Sequence, residues 1–221
     1  MNYHWNLSYL STQLPVILEG LLGTLRLSVV CLLGGLIIGT LVGAARSQGG
    51  PVLRAVGTAY VEFFRNIPAL VQVFWCFYAL PVLLGTESDR FLSATLAISL
   101  YSGAYFAEIV RSGIQSIEKG QWEAGRAIGM SYLRILRFIV FPQVFKRILP
   151  ALTNQGIDVI KLTTLASTIA YAELLYQAKL ISDVEFRPIE TYTTIGGIFI
   201  AVLIIFSLLS ARLERRMARS E

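Results

Sequence analysis

Long uncharged stretches constrain this chain more than any other feature of its sequence. No charged residue lies between Arg26 and Arg46, or between Arg65 and Glu87. A bilayer core about 30 Å thick requires roughly 20 apolar residues of helix, and these stretches meet that requirement. We predict five membrane-spanning helices, at about residues 20–45, 60–84, 91–110, 150–172 and 191–211.

The composition agrees with a membrane protein. Hydrophobic residues make up 55% of the 221 residues and charged residues only 15%, whereas soluble domains carry roughly 25% charged residues. None of the apolar stretches shows the two-residue alternation of a strand. The predicted fold class is therefore all-α, with a single polytopic transmembrane domain over residues 1–221. The first 20 residues lack the basic segment of a cleavable signal peptide, and the first helix is expected to remain in the mature protein.

Lysine and arginine residues are unevenly distributed between the predicted loops. Those that follow spans one, three and five are Arg46, Arg54, Arg111, Lys119, Arg126, Arg134, Arg137, Lys146, Arg147, Arg212, Arg215, Arg216 and Arg219. The opposite loops contain Arg90, Lys179 and Arg187 among acidic residues, which are Glu87, Asp89, Asp183, Glu185 and Glu190. Because cytoplasmic loops are enriched in Lys and Arg, this bias predicts an outer N-terminus, a cytosolic C-terminus and a long cytosolic loop at residues 112–147. This topology accounts for the formal charge of +5, and no nucleic-acid partner is expected.

The residues needed for common catalytic and metal sites are scarce. The single histidine, His4, precedes the first predicted span, so neither a His-rich metal site nor a Ser/His/Asp or Cys/His arrangement can be assembled. Cys31 and Cys76 lie inside apolar stretches, where packing is the simplest role. A glycine-rich stretch begins like a P-loop, but Thr40 and Leu41 stand where Lys and Ser or Thr are required. We expect no catalytic residue, no metal and no ATP hydrolysis on this chain.

Three glycines recur at four-residue spacing within the first span, at Gly35, Gly39 and Gly43. Small residues with this spacing allow transmembrane helices to approach closely. The pattern predicts a helix-packing surface, used either within the chain or between two chains.

A polar, helix-forming segment interrupts the apolar chain after the third span. Residues 121–128 read as a short helix with Glu123 in its first turn, where an acidic side chain is favoured by the helix dipole. Gly129 is a suitable end for this helix, because glycine readily adopts the left-handed conformation. Ser131 can then cap a second helix, which is predicted to run as far as Pro142.

The residues of this segment leave two interpretations open. Arg134 and Arg137 lie one turn apart, as in an amphipathic helix whose basic side chains meet lipid phosphates at the membrane surface. Alternatively, a basic, helix-forming loop presents a docking surface to a cytosolic partner.

The loop resembles the signature of ABC importer permeases at six positions, which are Glu123, Ala124, Gly125, Gly129, Ile139 and Pro142. Other segments resemble the polar amino-acid permeases of this group, namely residues 64–72, 108–117, 141–143 and 146–150. The resemblance extends in order over nearly the whole chain. Gly125 departs from the second alanine that is commoner in the family, at a cost of about 1 kcal/mol of helix propensity.

The resemblance implies a type I ABC importer permease fold in a bacterial inner membrane. It implies that two permease chains, identical or related, form the pore, and that an extracytoplasmic binding protein delivers a polar amino acid. The loop would be the coupling helix, which inserts into a groove of a cytosolic ABC ATPase, with two ATPase subunits in each complex. ATP and Mg would be held by the ATPase, so no cofactor is expected on this chain.

Charged residues at membrane depth are candidates for the translocation pathway, because such groups are costly there and usually face protein or a watery cavity. Lys161 lies near the middle of span four, one turn after Asp158. Three roles stay open for this lysine: contact with a substrate carboxylate, aided by the hydroxyl of Thr163 or Thr164, pairing with Asp158, or extension to the membrane surface. The resemblance places this segment along the translocation cavity, although Leu162 stands where the family often has aspartate.

Two further pairs of opposite charge lie at the inner ends of predicted spans. Glu62 and Arg65 are three residues apart, and so are Glu108 and Arg111. This spacing brings side chains together on one helix face. We expect a structural or gating role for both pairs.

The sequence therefore favours a permease subunit of an ATP-driven, binding-protein-dependent importer of polar amino acids. One alternative is an ion-coupled secondary transporter or channel subunit, and another is a membrane scaffold that transports nothing. The docking loop separates the first alternative from an importer, because an ion-coupled carrier has no need of it.

Overall fold

The computed structural model of the chain describes residues 4–218, and the regular elements among these residues are all helical. The α-helices are α1 Tyr9–Gln48, α2 Pro51–Asn66, α3 Ala69–Phe74, α4 Leu80–Leu84, α5 Arg90–Gln115, α6 Lys119–Ala127, α7 Tyr132–Ile135, α8 Phe141–Leu162, α9 Leu174–Glu185 and α10 Pro188–Ala218. Two π-helical turns, Trp75–Ala79 and Leu136–Val140, join α3 to α4 and α7 to α8, and a 3-10 helix, Thr163–Ile169, follows α8. The predicted all-α class is confirmed. Arg219, which was assigned to the cytosolic side, lies outside the described residues.

Two of the described helices are long and apolar enough to cross a membrane by length and composition alone, Tyr9–Gln48 and Pro188–Met217. A third candidate arises if Pro51–Asn66 and Ala69–Leu84 are counted together as one bent span. Polar and charged side chains lower the mean hydropathy of α5 and α8, so these two helices do not meet the same criterion of length and composition. The five-span topology with an outer N-terminus therefore stays a prediction.

A proline interrupts the second predicted span. α2 ends at Asn66 and α3 begins at Ala69, with Ile67 in an extended conformation (φ −93°, ψ 131°). Pro68 cannot donate a backbone hydrogen bond and disfavours a helical conformation in the residue before it. The prediction of one uninterrupted helix over residues 60–84 is therefore wrong.

The helix at the fourth predicted span has different bounds in the structure. α8 begins at Phe141, within the predicted cytosolic loop, and continues through Pro150 to Leu162. The 3-10 helix that follows stops at Ala170, which has a left-handed conformation (φ 58°). The helix thus begins before the predicted span 150–172 and the helical conformation ends before residue 172, whereas the bounds of the span in the membrane stay a prediction. A proline is tolerated within a helix when neighbouring groups satisfy the freed carbonyl, so Pro150 does not mark a helix start.

Tertiary contacts divide the chain into two units. The first consists of Met1–Leu32, Pro68–Ile98 and Ile157–Ser207. Its apolar core joins Ile17 of α1, Leu174 and Ala178 of α9, and Ile195 of α10. Two hydroxyl groups, of Tyr9 and Thr191, share a hydrogen bond of 2.8 Å beside this core.

Two fully buried carboxylates fix helix starts in this first unit. Glu173 accepts hydrogen bonds from the backbone N–H groups of Leu175 (2.9 Å) and Tyr176 (2.7 Å), and so caps α9. Glu190 pairs with Arg187 at 2.9 Å in the first turn of α10. Both buried carboxyl groups therefore have hydrogen-bond partners, as buried polar groups in proteins usually do.

The second unit consists of Leu33–Ile67, Ser99–Gly156 and Leu208–Glu221. Within it α1 and α5 approach closely at glycines: a β-carbon added at Gly39 would lie 2.3 Å from Cβ of Phe106, and one at Gly43 would lie 2.6 Å from the carbonyl oxygen of Ala107. Real side chains do not fit at these distances. The glycine spacing predicted from the sequence therefore serves packing within the chain.

Candidate functional site

The polar loop after α5 forms a short helix that ends at a left-handed glycine. α6 runs from Lys119 to Ala127, two residues longer at its start than predicted. Gly129 has φ +75°, and the N–H of Met130 donates to the carbonyl of Gly125 at 3.0 Å. This hydrogen bond satisfies a carbonyl that the helix end would leave free. The predicted end of α6 at a left-handed Gly129 is confirmed.

Three details of the predicted loop are wrong. Because α6 begins earlier than expected, Glu123 lies in the second turn, where the helix dipole favours it less. Ser131 occupies the position before α7 but its side chain makes no capping hydrogen bond. The second helix also passes Pro142 instead of ending there, because a π-helical turn precedes α8 and the helix continues.

Gly125 explains how the loop folds back on itself. It is buried, and a β-carbon added to it would lie 2.8 Å from Cγ1 of Ile135. Ile135 is 1% exposed and packs with Trp122, Ile139 and Val140 in one apolar cluster. Gly125, which departs from the family's commoner alanine, therefore lies at a close contact between α6 and α7. Only a residue without a side chain allows this contact at the present spacing.

The outer surface of the loop carries apolar side chains. Ile128 is 76% exposed and Leu133 is 73% exposed, while Glu123 and Gly129 are also exposed. Exposed apolar groups of this size at a polar loop are typical of an interaction surface. We call Glu123, Ile128, Gly129 and Leu133, together with helix α6, the docking surface.

Contacts behind the docking surface connect the loop to the end of α1. The rings of Trp122 and Tyr132 are stacked with centroids 5.8 Å apart, and the Tyr132 hydroxyl donates to Oε1 of Gln48 at 2.5 Å. Partial burial of the phenol raises the pKa of Tyr132, so this hydroxyl stays a protonated donor. A cavity of about 380 Å³ lies between these groups, Glu123 and Arg126.

A three-residue ion network lies between α1 and α5. Oε2 of Glu108 accepts from Nη1 of Arg46 at 2.6 Å, and Oε1 of Glu108 accepts from Nε of Arg111 at 3.1 Å. Arg46 also donates to the hydroxyl of Thr58 (3.3 Å), and Arg111 donates to Oε1 of Gln115 (2.6 Å). The geometry contains the predicted Glu108–Arg111 pair and adds Arg46, which was predicted only as a basic residue of a cytosolic loop. No sequence spacing links Arg46 to Glu108. The one signal for Arg46 in the sequence was its position directly after a long uncharged stretch.

The second predicted pair does not form. Oε2 of Glu62 accepts from Nδ2 of Asn66 at 3.2 Å, and Arg65 lies over the ring of Tyr105, with Cζ 5.1 Å from the centroid. Among residues 4–218, Glu62 and Arg65 make no ion pair. A cation over an aromatic ring gains roughly as much as an exposed ion pair, so the contact of Arg65 with α5 costs little relative to the predicted pair.

The candidate pathway residues on α8 and the 3-10 helix differ in their exposure. Nζ of Lys161 lies 3.2 Å from Oδ1 of Asp158, and their side chains are 56% and 58% exposed. Thr164 is partly buried, and its hydroxyl donates to the carbonyl of Lys161 at 2.7 Å. Thr163 is fully buried, and its hydroxyl donates to the carbonyl of Ile160 at 2.7 Å. Thr163 therefore presents no hydroxyl to a ligand in this conformation, whereas Lys161, Asp158 and Thr164 are accessible.

Comparisons with known proteins agree with one another over nearly the full chain. A family model described as binding-protein-dependent transport system inner membrane component matches residues 35–219. The glutamine transport system permease protein GlnP of Escherichia coli (strain K12) is 38% identical over 218 residues, which cover 98% of this chain and 99% of that protein. The probable glutamine ABC transporter permease protein GlnM of Bacillus subtilis (strain 168) is 34% identical, covering 97% and 99%. The crystal structure of an amino acid ABC transporter with histidines contains a chain that matches with a TM-score of 0.89, at 32% identity, covering 97% of this chain and 100% of that one.

Proposed function

This chain belongs to the family of binding-protein-dependent transport system inner membrane components, and from that membership we propose that it forms the translocation pathway of an ATP-driven importer of polar amino acids. Its relatives are permease subunits of amino-acid ABC importers, and its fold is that of a type I ABC importer permease. Members of such a family are membrane components and not themselves catalytic. The substrate class proposed here is that of the relatives, with glutamine, glutamate, aspartate, arginine and histidine as candidates.

The observation that carries the proposal is the docking surface. Gly129 ends α6 in a left-handed turn, and Ile128 and Leu133 are left largely exposed on the outside of the loop. A partner surface that covers these two side chains would remove apolar area from water. The partner we propose is a cytosolic ABC ATPase, with two copies in the complex, each holding its own ATP and Mg.

The proposed topology has five spans, an outer N-terminus and a cytosolic docking surface. It is supported by the distribution of Lys and Arg and by the apolar lengths of α1 and α10. A second permease chain would complete the pore, and an extracytoplasmic binding protein would deliver the amino acid. In this scheme the ATPases move the docking surfaces of the two permeases together and apart, and the spans alternate between outward and inward access.

Within the pathway, we assign Lys161 to the carboxylate of the amino acid. The side chain is accessible and already faces one carboxylate, that of Asp158 at 3.2 Å. An exposed pair of this kind is worth no more than about 1 kcal/mol, so a substrate carboxylate can displace Asp158 at little cost. The Arg46–Glu108–Arg111 network is assigned a structural role at the end of α1, through which movement of α5 would be transmitted.

Reconstitution tests this function directly. The chain would be placed in proteoliposomes with the ATPase, permease partner and binding protein encoded by neighbouring genes, and uptake of radiolabelled amino acids would be measured. We expect uptake that requires ATP and the binding protein and that persists when ionophores collapse every ion gradient. Uptake that is lost with the gradients and unaffected by ATP would identify an ion-coupled carrier. Absence of any solute-dependent ATP hydrolysis in an intact complex would identify a scaffold.

A further inference from the structure

A cavity of about 440 Å³ lies between the N-terminal half of α8 and the C-terminal end of α10. Its lining consists of Lys146, Arg147, Leu149, Pro150, Glu214, Arg215 and Met217. One hydrogen bond joins the two helices beside it, from the hydroxyl of Thr153 to Oε1 of Glu214 at 2.8 Å. No part of the docking surface lines this cavity, and the transport cycle proposed above assigns no ligand to it.

The basic side chains of the cavity outnumber its acidic one. Lys146, Arg147 and Arg215 share the lining with a single carboxylate, that of Glu214, so two positive charges remain in excess. Neither Lys146 nor Arg215 makes an ion pair or hydrogen bond with another residue in the described part of the chain. Arg147 donates to the carbonyl and the hydroxyl of Ser116, which are neutral acceptors. The cavity therefore has the charge of an anion site.

The lining combines these cations with apolar surface. Guanidinium and ammonium groups are the usual protein ligands of phosphate oxygens. Leu149, Pro150 and Met217 supply the apolar part of the same lining, and Pro150 is exposed. Basic side chains whose charged ends lie beside apolar surface are typical of the boundary between hydrocarbon and lipid headgroups. A free anion would use only the cations, whereas a phospholipid would use both kinds of surface.

The cavity lies at headgroup depth in the proposed topology. Span four begins at about residue 150 and span five ends at about residue 211, so Lys146 precedes one span and Arg215 follows the other. With a rise of 1.5 Å per helical residue, each lies about 5 Å outside the apolar core. Basic pockets between helices on the cytosolic side of a membrane are suited to the phosphate groups of anionic lipids.

We propose that this cavity binds the phosphate group of an anionic phospholipid from the cytosolic leaflet. Lys146 on α8 and Arg215 on α10 contact the phosphate oxygens, and Arg147 adds a third positive charge. The glycerol backbone passes over Pro150, at the beginning of span four, and the acyl chains enter the bilayer from there. The bound lipid would hold the end of α10 against α8 and add to the single hydrogen bond between Thr153 and Glu214.

Native mass spectrometry of the full chain in detergent tests this site. The purified protein is titrated with phosphatidylglycerol, with phosphatidylcholine and with inorganic phosphate, and Arg215→Gln is compared with Arg216→Gln. Arg216 is a matched control, because it is the next residue on α10 and is exposed but does not line the cavity. At 3.6 residues per turn it lies on the opposite face of the helix from the centre of the lining.

We expect phosphatidylglycerol to bind more tightly than phosphatidylcholine. Arg215→Gln should weaken the binding of phosphatidylglycerol at least about tenfold, because it removes a charge-assisted hydrogen bond. Arg216→Gln should weaken it less than about fivefold, through the loss of general attraction to the anionic lipid. Lys146→Gln should cause a loss like that of Arg215→Gln, since Lys146 lies on the other helix of the cavity.

Four outcomes would overturn the site. Equal losses in Arg215→Gln and Arg216→Gln would mean that general charge attraction explains the binding. Equal affinities for the two lipids would mean that the headgroup charge is not recognised. Displacement of phosphatidylglycerol by millimolar inorganic phosphate would identify free phosphate as the ligand. Loss of ATPase co-purification in Arg215→Gln, with lipid binding unchanged, would mean that the cavity receives an acidic segment of the ATPase. The lipid titration needs neither ATPase nor transport, so its failure would leave the proposed function intact.

Discussion

Gly125 lies against Ile135 so closely that a β-carbon on the glycine would come within 2.8 Å of the isoleucine Cγ1. This contact sets the spacing of α6 and α7 and hence the form of the docking surface. The α6 helix has a second glycine, Gly120, for which an added β-carbon would meet nothing within 4 Å. The two glycines therefore provide a matched comparison of a packed and an open position in one helix.

The first prediction is that Gly125→Ala destabilises the purified chain and Gly120→Ala does not. Alanine gains about 1 kcal/mol of helix propensity at either position, but overpacking at Gly125 costs about 1–3 kcal/mol. We expect the apparent melting temperature in detergent to fall for Gly125→Ala and to stay equal or rise for Gly120→Ala. The same change in both variants would show that the contact with Ile135 does not limit this position.

The second prediction concerns the left-handed end of α6. Gly129→Trp places a bulky side chain on the docking surface at a backbone conformation with φ +75°, so the ATPase should no longer co-purify with the permease. Gly85→Trp is the control, because Gly85 is also left-handed (φ 64°) and open but lies in the loop after α4. We expect ATPase recovery to be normal for Gly85→Trp. A loss in both variants would indicate a general folding defect instead of a docking defect.

The third prediction concerns the network around Glu108. Glu108→Gln leaves the nearly buried Arg46 without its carboxylate, at a cost of about 1–3 kcal/mol. The double variant Arg46→Gln/Glu108→Gln removes both charges and should recover part of that loss. Thermal unfolding of the two variants beside Glu62→Gln provides the measurement, since Glu62 makes no ion pair among the described residues. Additive losses in the double variant would show that Arg46 and Glu108 are not coupled.

The fourth prediction concerns topology. With Cys31 and Cys76 replaced, a cysteine at Ser88 or Asp183 should react with an impermeant thiol reagent outside intact spheroplasts, and a cysteine at Ser131 should not. All three target positions are exposed, so accessibility to the reagent and not burial decides the result. Permeabilised spheroplasts provide the control, because Ser131→Cys should then react. Labelling of Ser131→Cys from outside would contradict the proposed orientation and place the docking surface on the wrong side for an ATPase.

Structural elements that depend on local chemistry could be predicted from local signals in the sequence. The end of α6 at Gly129 could be predicted because a left-handed helix end requires a residue such as glycine. The break before Pro68 could also have been predicted from the proline, but the predicted span followed the uncharged stretch between Arg65 and Glu87 and ignored it. Contacts between segments that are separated along the chain could not be predicted from the sequence. Arg46 and Glu108 are 62 residues apart, and Gly125 and Ile135 meet only after the chain turns back at Gly129. Such contacts depend on how helices pack, which a single sequence does not encode at any fixed spacing.

The fifth prediction concerns Lys161. If this lysine contacts the carboxylate of the amino acid, Lys161→Met should weaken uptake in proteoliposomes at least about tenfold, since a charge-assisted hydrogen bond is worth roughly 1.5–3 kcal/mol. Assembly with the ATPase and its basal ATP hydrolysis should be unchanged. Lys179→Met is the control, because Lys179 is an exposed lysine on α9. This variant should transport the amino acid at the normal rate.

The contact of Lys161 with Asp158 at 3.2 Å offers the competing explanation. If Lys161 only neutralises this neighbour, Lys161→Met strands a carboxylate at membrane depth, and the double variant Asp158→Leu/Lys161→Met should recover uptake. If Lys161 binds the substrate, uptake stays weakened in the double variant although both charges are gone. Recovery would therefore refute the ligand role, and continued loss in an intact complex would support it. Thr163→Val belongs in the same series. Its buried hydroxyl donates to Ile160, so the loss of this hydroxyl should change stability and not apparent affinity.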